Sequence, residues 1–319
     1  MNLKDAYCRA AVETKEQFDA CLKSGKVQLI YIDSAYFEPE DYAGLVSRAH
    51  SAGVLCGLRL PFIWRKRAEE YFEGGGERLL NKSLNAACGR APSALISEAG
   101  FDIFLFRNTE SIFYFAERGL LSGKPFVTDH SIYSFNKLSA DMLMEMLELP
   151  GTDAEGGMAA AFSAVTFPLE LNEKELVRLG RSLKKARSES RDGPEADEAG
   201  TDPGCIPLAE LVVYGRAPMM VSAQCINKTV GRCDGKAHEL LLRDRTRADM
   251  PVKNCCRFCY NTIYNSVPTV LFDLEGLASK AGAGSIRSEF SVERAEEVRL
   301  VLEGIVPKDF TRGHLKRGV

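Results

Sequence analysis

Short apolar runs rich in valine, isoleucine and aromatic residues recur along the chain, and a segment with helical spacing of its apolar positions follows each one. That alternation is the pattern of a parallel sheet wrapped by helices. Eight such runs stand out: Tyr7 to Glu13, Val27 to Asp33, Val54 to Leu60, Phe101 to Phe106, Pro125 to Asp129, Ala164 to Leu169, Leu211 to Gly215 and Ser285 to Phe290. The spacing predicts helices over Lys15 to Leu22, Glu40 to Ala52, Trp64 to Leu80, Glu110 to Leu120, Asn136 to Leu147, Glu173 to Lys185 and Val292 to Leu302. Thr14 and Asn172 are N-cap candidates, and Pro39 precedes acidic residues suited to a first turn. Eight strand-helix units would close a (β/α)8 TIM-like barrel. An open doubly wound sheet is the alternative, but no Gly-x-Gly-x-x-Gly turn follows the first strand to support its dinucleotide-binding version.

Two stretches break the rhythm. Residues 186–204 are small, charged or turn-forming, with nothing large and apolar to anchor them, and are expected to be a disordered surface insertion. Gly74, Gly75 and Gly76 interrupt a helical segment and predict a break there. The 319 residues exceed a usual domain, yet barrels reach about 250 residues as one unit, so residues 1–319 are read as a single barrel domain.

A barrel carries its site on the loops after the C-terminal strand ends. The polar residues there are Asp33, Arg59, Arg107, Asp129, His130, Glu170, Arg216 and Glu289. Arg59, Arg107 and Arg216, if they converge on one mouth, would suit an anionic, carboxylate-bearing ligand, with His130 beside them. Strand ends also carry caps and salt bridges, which is the plain structural alternative for each.

Composition changes the picture little. Hydrophobic residues make up 45% and charged residues 27%, with a net charge of -3, so there is material for a core and no global basic footprint for phosphate backbones. The start of the chain lacks the basic-then-apolar order of a secretory signal, and no apolar run approaches a membrane span. A cytoplasmic location is expected.

The cysteines are more informative. Half of the 10 lie between Cys225 and Cys259, a clustering that in a reducing compartment favours metal ligation over disulfides. Cys8, Cys21, Cys56 and Cys88 are scattered and read as small buried hydrophobes, and Cys205 follows the polar stretch. Cys256 and Cys259 form a Cys-x-x-Cys pair; Cys225 and Cys233 are too far apart for the short knuckle of a zinc ribbon. Glu239 to Val252 reads as a hairpin-like excursion that would bring the two pairs together. An iron-sulfur cluster tolerates such irregular spacing and is favoured over zinc, with a cluster of free thiols as the remaining reading. Four thiols are available with one to spare, and Cys255 could take the place of Cys256.

The run Glu210-Leu-Val-Val-Tyr-Gly-Arg-Ala-Pro-Met-Met-Val-Ser-Ala-Gln-Cys225 carries a family resemblance. With it go Leu242 to Arg245, Pro251-Val252, Cys256, Thr262 to Ser266, Ser285 to Phe290 and the terminal Thr311 to Val319. Together they resemble the peptidase U32 family, most of all the C-terminal barrel half of its long members. The resemblance is close over the last third of the chain and rests on strand-helix rhythm elsewhere. It implies one of three roles. The historical one is a collagenase-like peptidase, although the chain has neither Gly-x-Ser-x-Gly nor His-Glu-x-x-His. Other members are oxygen-independent hydroxylases holding a 4Fe-4S cluster on four cysteines; some act on RNA pyrimidines with prephenate as oxygen source, others on a quinone precursor as paired subunits. The third is a non-catalytic partner of a second U32 protein. Carried over, the family's cysteines fall on Cys225, Cys233, Cys256 and Cys259, with the doubled Cys255-Cys256 leaving one ligand open. His314 lies in the terminal motif.

Overall fold

The computed structural model describes residues 7–74, 90–121, 123–147, 162–190 and 209–317. Seven strands follow one another in chain order: β1 (Cys8–Val12), β2 (Leu29–Asp33), β3 (Leu55–Arg59), β4 (Ile103–Phe106), β5 (Phe126–Thr128), β6 (Phe162–Thr166) and β7 (Ala209–Gly215). Five further strands intervene, β8 (Pro218–Ser222), β9 (Glu239–Arg243), β10 (Asp249–Cys255), β11 (Tyr260–Tyr264) and β12 (Thr269–Val270), before β13 (Ser285–Glu289). The parallel order β7-β13-β1-β2-β3-β4-β5-β6 returns to β7 through Val165 against Ala209 and Thr166 against Glu210. The ring is therefore a closed eight-stranded parallel barrel, as the eight apolar runs predicted.

Period-two alternation explains why those runs are apolar throughout. Ala11, Leu29, Tyr31, Leu55, Ile103, Leu105, Val127 and Ala164 fill the barrel. Their neighbours in sequence, such as Ala10, Ile30, Ile32, Leu58 and Phe104, face outward into the core beneath the helices. Gly57 is needed on the inner face, because a Cβ there would lie 2.6 Å from the Tyr31 ring and 2.8 Å from Ile103.

The helices are α1 (Lys15–Ser24), α2 (Tyr42–Ser51), α3 (Lys66–Phe72), α4 (Pro92–Ala99), α5 (Thr109–Glu117), α6 (Lys137–Leu147), α7 (Glu173–Ser190), α8 (Ile226–Thr229), α9 (Leu277–Ala281) and α10 (Ala295–Leu302). Thr14 caps α1 in a capping box with Gln17, and Asn172 and Glu175 exchange the same pair of bonds at the start of α7. Two expected helices differ in length. The one expected over Trp64 to Leu80 is α3, which ends before Gly74 at φ 76, with residues 75–80 outside the described residues. Conversely, α7 runs on to Ser190, so the first five residues of the 186–204 polar stretch are helical; Ala, Arg and Glu among them are good helix formers. Residues 191–204, Cys88 and Cys205 lie outside the described residues.

The chain between β7 and β13 forms a second sheet, antiparallel, in the order β8-β11-β10-β9. The excursion expected over Glu239 to Val252 is the β9–β10 hairpin, with Arg243 paired to Asp249. Returning to the barrel, β12 pairs antiparallel with Tyr214 and Gly215 at the top of β7, where β6 no longer reaches. The ring is thus continuous low down and has a wedge between β6 and β7 at its mouth.

Candidate functional site at the barrel mouth

Charged residues inside the barrel and at its C-terminal strand ends interlock below the second sheet. Arg59 donates to Asp33 (3.0 Å) and to Glu13 (2.9 Å), and Arg107 reaches the same Asp33 oxygen at 2.6 Å while its guanidinium lies 4.0 Å from the centre of the Phe62 ring. Arg287 bridges Glu210, Asp129 and Glu289, the last at 2.8 Å, and Arg9 reaches Glu210 at 3.0 Å. Lys253, from β10, pairs with Glu13. Five carboxylates (Glu13, Asp33, Asp129, Glu210, Glu289) therefore face five cations (Arg9, Arg59, Arg107, Lys253, Arg287), nearly all buried. Burial alone would weaken the charge of Arg59, Arg107 and Arg287, but the carboxylates beside them hold all three above the usual arginine value.

Of the three arginines singled out in the sequence, two meet. Arg59 and Arg107 share Asp33, whereas Arg216 turns aside, 3.4 Å from Glu293 and bonded to the carbonyls of Asn265 and Ser266. His130 follows β5, 5% exposed, in the tight turn His130–Ile132 capped by Asp129. Its Nε2 lies 3.9 Å from both Asp129 and Glu289. Sequence reading did not single out Arg9, Glu13, Glu210, Arg287 or Lys253. The available signal was a charged residue at an inward position of an otherwise apolar strand, as at Arg9, Glu210 and Arg287.

The second sheet is seated on this network. Tyr264 donates to Glu13 (3.2 Å), Lys253 also donates to the Ser291 carbonyl (2.9 Å), and the Phe62 N–H points at the Tyr260 hydroxyl (3.4 Å). The turn from Cys256 to Cys259 that joins β10 to β11 is held from the barrel side. Arg257 donates to the carbonyls of Ser34 and Phe37, each at 2.6 Å, and pairs with Glu38. Arg67 donates to the carbonyls of Cys256 and Arg257. Cys259 sits in the left-handed region at φ 59, which costs about 1 kcal/mol or more in a residue other than glycine.

Strand alternation separates the doubled cysteine. Lys253 and Cys255 face the barrel, with Cys255 buried in the core beside Phe258 and Tyr260. Asn254, on the other face, meets Asn261 and Asn227, and so looks toward the segment that carries Cys225. Burial pushes the Cys256 thiol up to about 11, and Cys225, Cys233 and Cys259 push it the same way. Those four thiols share one patch. Cys255 is raised to about 12 by burial, with Asp33 acting in the same direction, and it lies with the barrel groups. Cys225 is buried, Cys256 and Cys259 half-buried, and Cys233 exposed. Among the described residues, no three cysteine sulfurs fall within 4.8 Å of one another. Four thiolates on one zinc would stand about 3.8 Å apart.

Two clefts open beside the network. One, of about 560 Å³, lies between β8 and the loops after β4 and β5, with Phe62, Arg107, His130 and Tyr133 on its walls. The other, of about 400 Å³, follows the wedge between β6 and β7 and is bordered by Arg216, Glu289, Arg312 and His314. Asp129, His130 and Glu289 each offer an atom of metal-ligating type, all within 4.8 Å of one another.

No family model and no curated protein matches the chain. Among solved structures it is similar to the U32 peptidase Mk0906, at 11% identity over 91% of this chain and 94% of that one, with a TM-score of 0.45. It is also similar to the YdjI aldolase from Escherichia coli K12, at 11% identity over 65% and 66% of the two chains, with a TM-score of 0.34. A third is an HpcH/HpaI aldolase from Desulfitobacterium hafniense DCB-2, at 12% identity over 72% and 83%, with a TM-score of 0.32. Among the described residues, no helix is long and apolar enough to cross a membrane.

Proposed function

We propose that the chain is an iron-sulfur enzyme of the U32 oxygen-independent hydroxylase type, acting on an RNA base or another small aromatic substrate. The observation that carries this reading is the gathering of Cys225, Cys233, Cys256 and Cys259 on one face while Cys255 turns into the core. The motifs from Glu210 to Cys225 and from Ser285 to Phe290, which resemble that family, support it. A 4Fe-4S cluster held by these four thiolates would supply one-electron chemistry beside the barrel mouth.

The chain's own residues do the placing. Arg67 and Arg257 fix the Cys256 to Cys259 turn against the β2–α2 loop and α3. Phe62 offers the 560 Å³ cleft an aromatic surface and Arg107 a charge, suited to a planar substrate or a carboxylate-bearing oxygen donor. His130 lies on the same wall.

Anaerobic purification with iron and sulfide assays tests the reading. About four of each per chain are expected, lost in Cys256→Ala and kept in Cys255→Ala. Stoichiometric zinc with no labile sulfide would replace the cluster by a structural zinc site. Peptide hydrolysis that survives Cys256→Ala would favour the peptidase alternative instead.

A further inference from the structure

We infer that Asp129, His130 and Glu289 form a binding site for a divalent transition-metal ion, distinct from the cysteine patch. The three come from the ends of β5 and β13, and their ligand atoms all lie within 4.8 Å of one another. His130 Nε2 and Asp129 Oδ2 are buried and have no hydrogen-bond partner among the described residues. Two orphaned polar atoms on neighbouring buried residues are costly, and a cation bound by both side chains would offset that cost.

Arg287 prepares the carboxylates for this. It takes Asp129 Oδ1 and Glu289 Oε1, leaving Asp129 Oδ2 unengaged and Glu289 Oε2 3.9 Å from His130 Nε2. That separation is too long for a hydrogen bond. Two donors each about 2.1 Å from one ion stand roughly 3.0 to 3.4 Å apart, so the His130 and Glu289 donors, 3.9 Å apart, must close by about half an ångström or more. One imidazole and two carboxylates suit Mn²⁺ or Fe²⁺, and not the soft ions that thiolates prefer.

The position gives the ion a use. The five cations of the network, Lys253 included, are equalled in number by its five carboxylates, so Arg107 faces the cleft from a network with no net positive charge. A divalent ion on the triad would supply that surplus. His130 borders the larger cleft and Glu289 the smaller, so a carboxylate or other oxygen ligand could complete the coordination from either side.

Titration of the full-length chain with Mn²⁺, followed by loss of the free-ion EPR signal, tests the site, because Mn²⁺ avoids thiolates. One saturable site is expected. His130→Gln and Glu289→Gln should each weaken it roughly tenfold or more, and Cys256→Ala should leave it unchanged. Both first variants keep the local packing: His130 Nε2 has no partner to lose, and a glutamine at 289 can still accept from Arg287. Circular dichroism confirms that each is folded. Absence of saturable binding up to about 1 mM, binding that survives both substitutions, or loss in Cys256→Ala would overturn the inference.

Discussion

Gly57 shows how tightly the barrel interior is specified. A methyl group at this position would drive into the Tyr31 ring and Ile103, neither of which can yield inside a packed ring. Gly57→Ala is therefore expected to lower stability by about 1 to 3 kcal/mol, measured by urea denaturation. Residue-scale chemistry was unevenly legible in the sequence. His130, Asp129 and Glu289 could be picked out as polar strand ends, since the fold class alone says where its mouth is. The choice between Cys255 and Cys256 could not be made, because adjacent residues differ only in the direction that strand pairing gives them. Arg287 was hidden for a similar reason: Ser285 to Phe290 reads as a strand whether its arginine points to solvent or into the ring.

Elements with strong local signals were readable. All eight barrel strands and the Thr14 and Asn172 helix starts follow from apolar runs and capping chemistry. Removing the first cap, Thr14→Ala, should cost about 1 kcal/mol, seen as a lowered denaturation midpoint. The elements that went unread lack such signals. The exposed β8 begins with Pro218 and two methionines, β11 carries Asn261 in mid-strand, β12 is two residues long, and α4 is short. Their stability comes from what they dock against. The β10–β11 hairpin depends on Arg257, whose buried guanidinium is met by two carbonyls, Glu38 and the Tyr71 ring. Arg257→Ala should cost roughly 2 to 4 kcal/mol locally. Amide exchange would speed up across β10 and β11 and leave β1 to β4 unchanged.

At the scale of the molecule, the buried charges tie barrel and second sheet into one acid-sensitive unit. Burial by itself would raise the Asp129 carboxyl, but Arg287, then His130, Arg107 and Arg59, hold it well below the ordinary carboxylate range. A carboxyl lowered in the folded state contributes its full stabilisation above its unfolded value, and the contribution is lost as pH falls through the folded value. Melting temperatures should accordingly decline as pH drops below about 4, and Asp129→Asn should flatten that decline. None of this coupling was legible in the sequence, since it joins residues as distant as Asp129 and Arg287, or Glu13 and Lys253.

The adjacent cysteines at the end of β10 also bear on how the hairpin finds its place. Slipping the strand by one position would carry Cys255 to where Cys256 stands, so a thiol would still meet the other three. The thiols therefore cannot proofread the pairing. The same slip swings Lys253 away from Glu13, leaving a buried carboxylate short of a cation, and it pulls Arg257 off the carbonyls of Ser34 and Phe37. The barrel, acting through its charges, is what disfavours the wrong alignment.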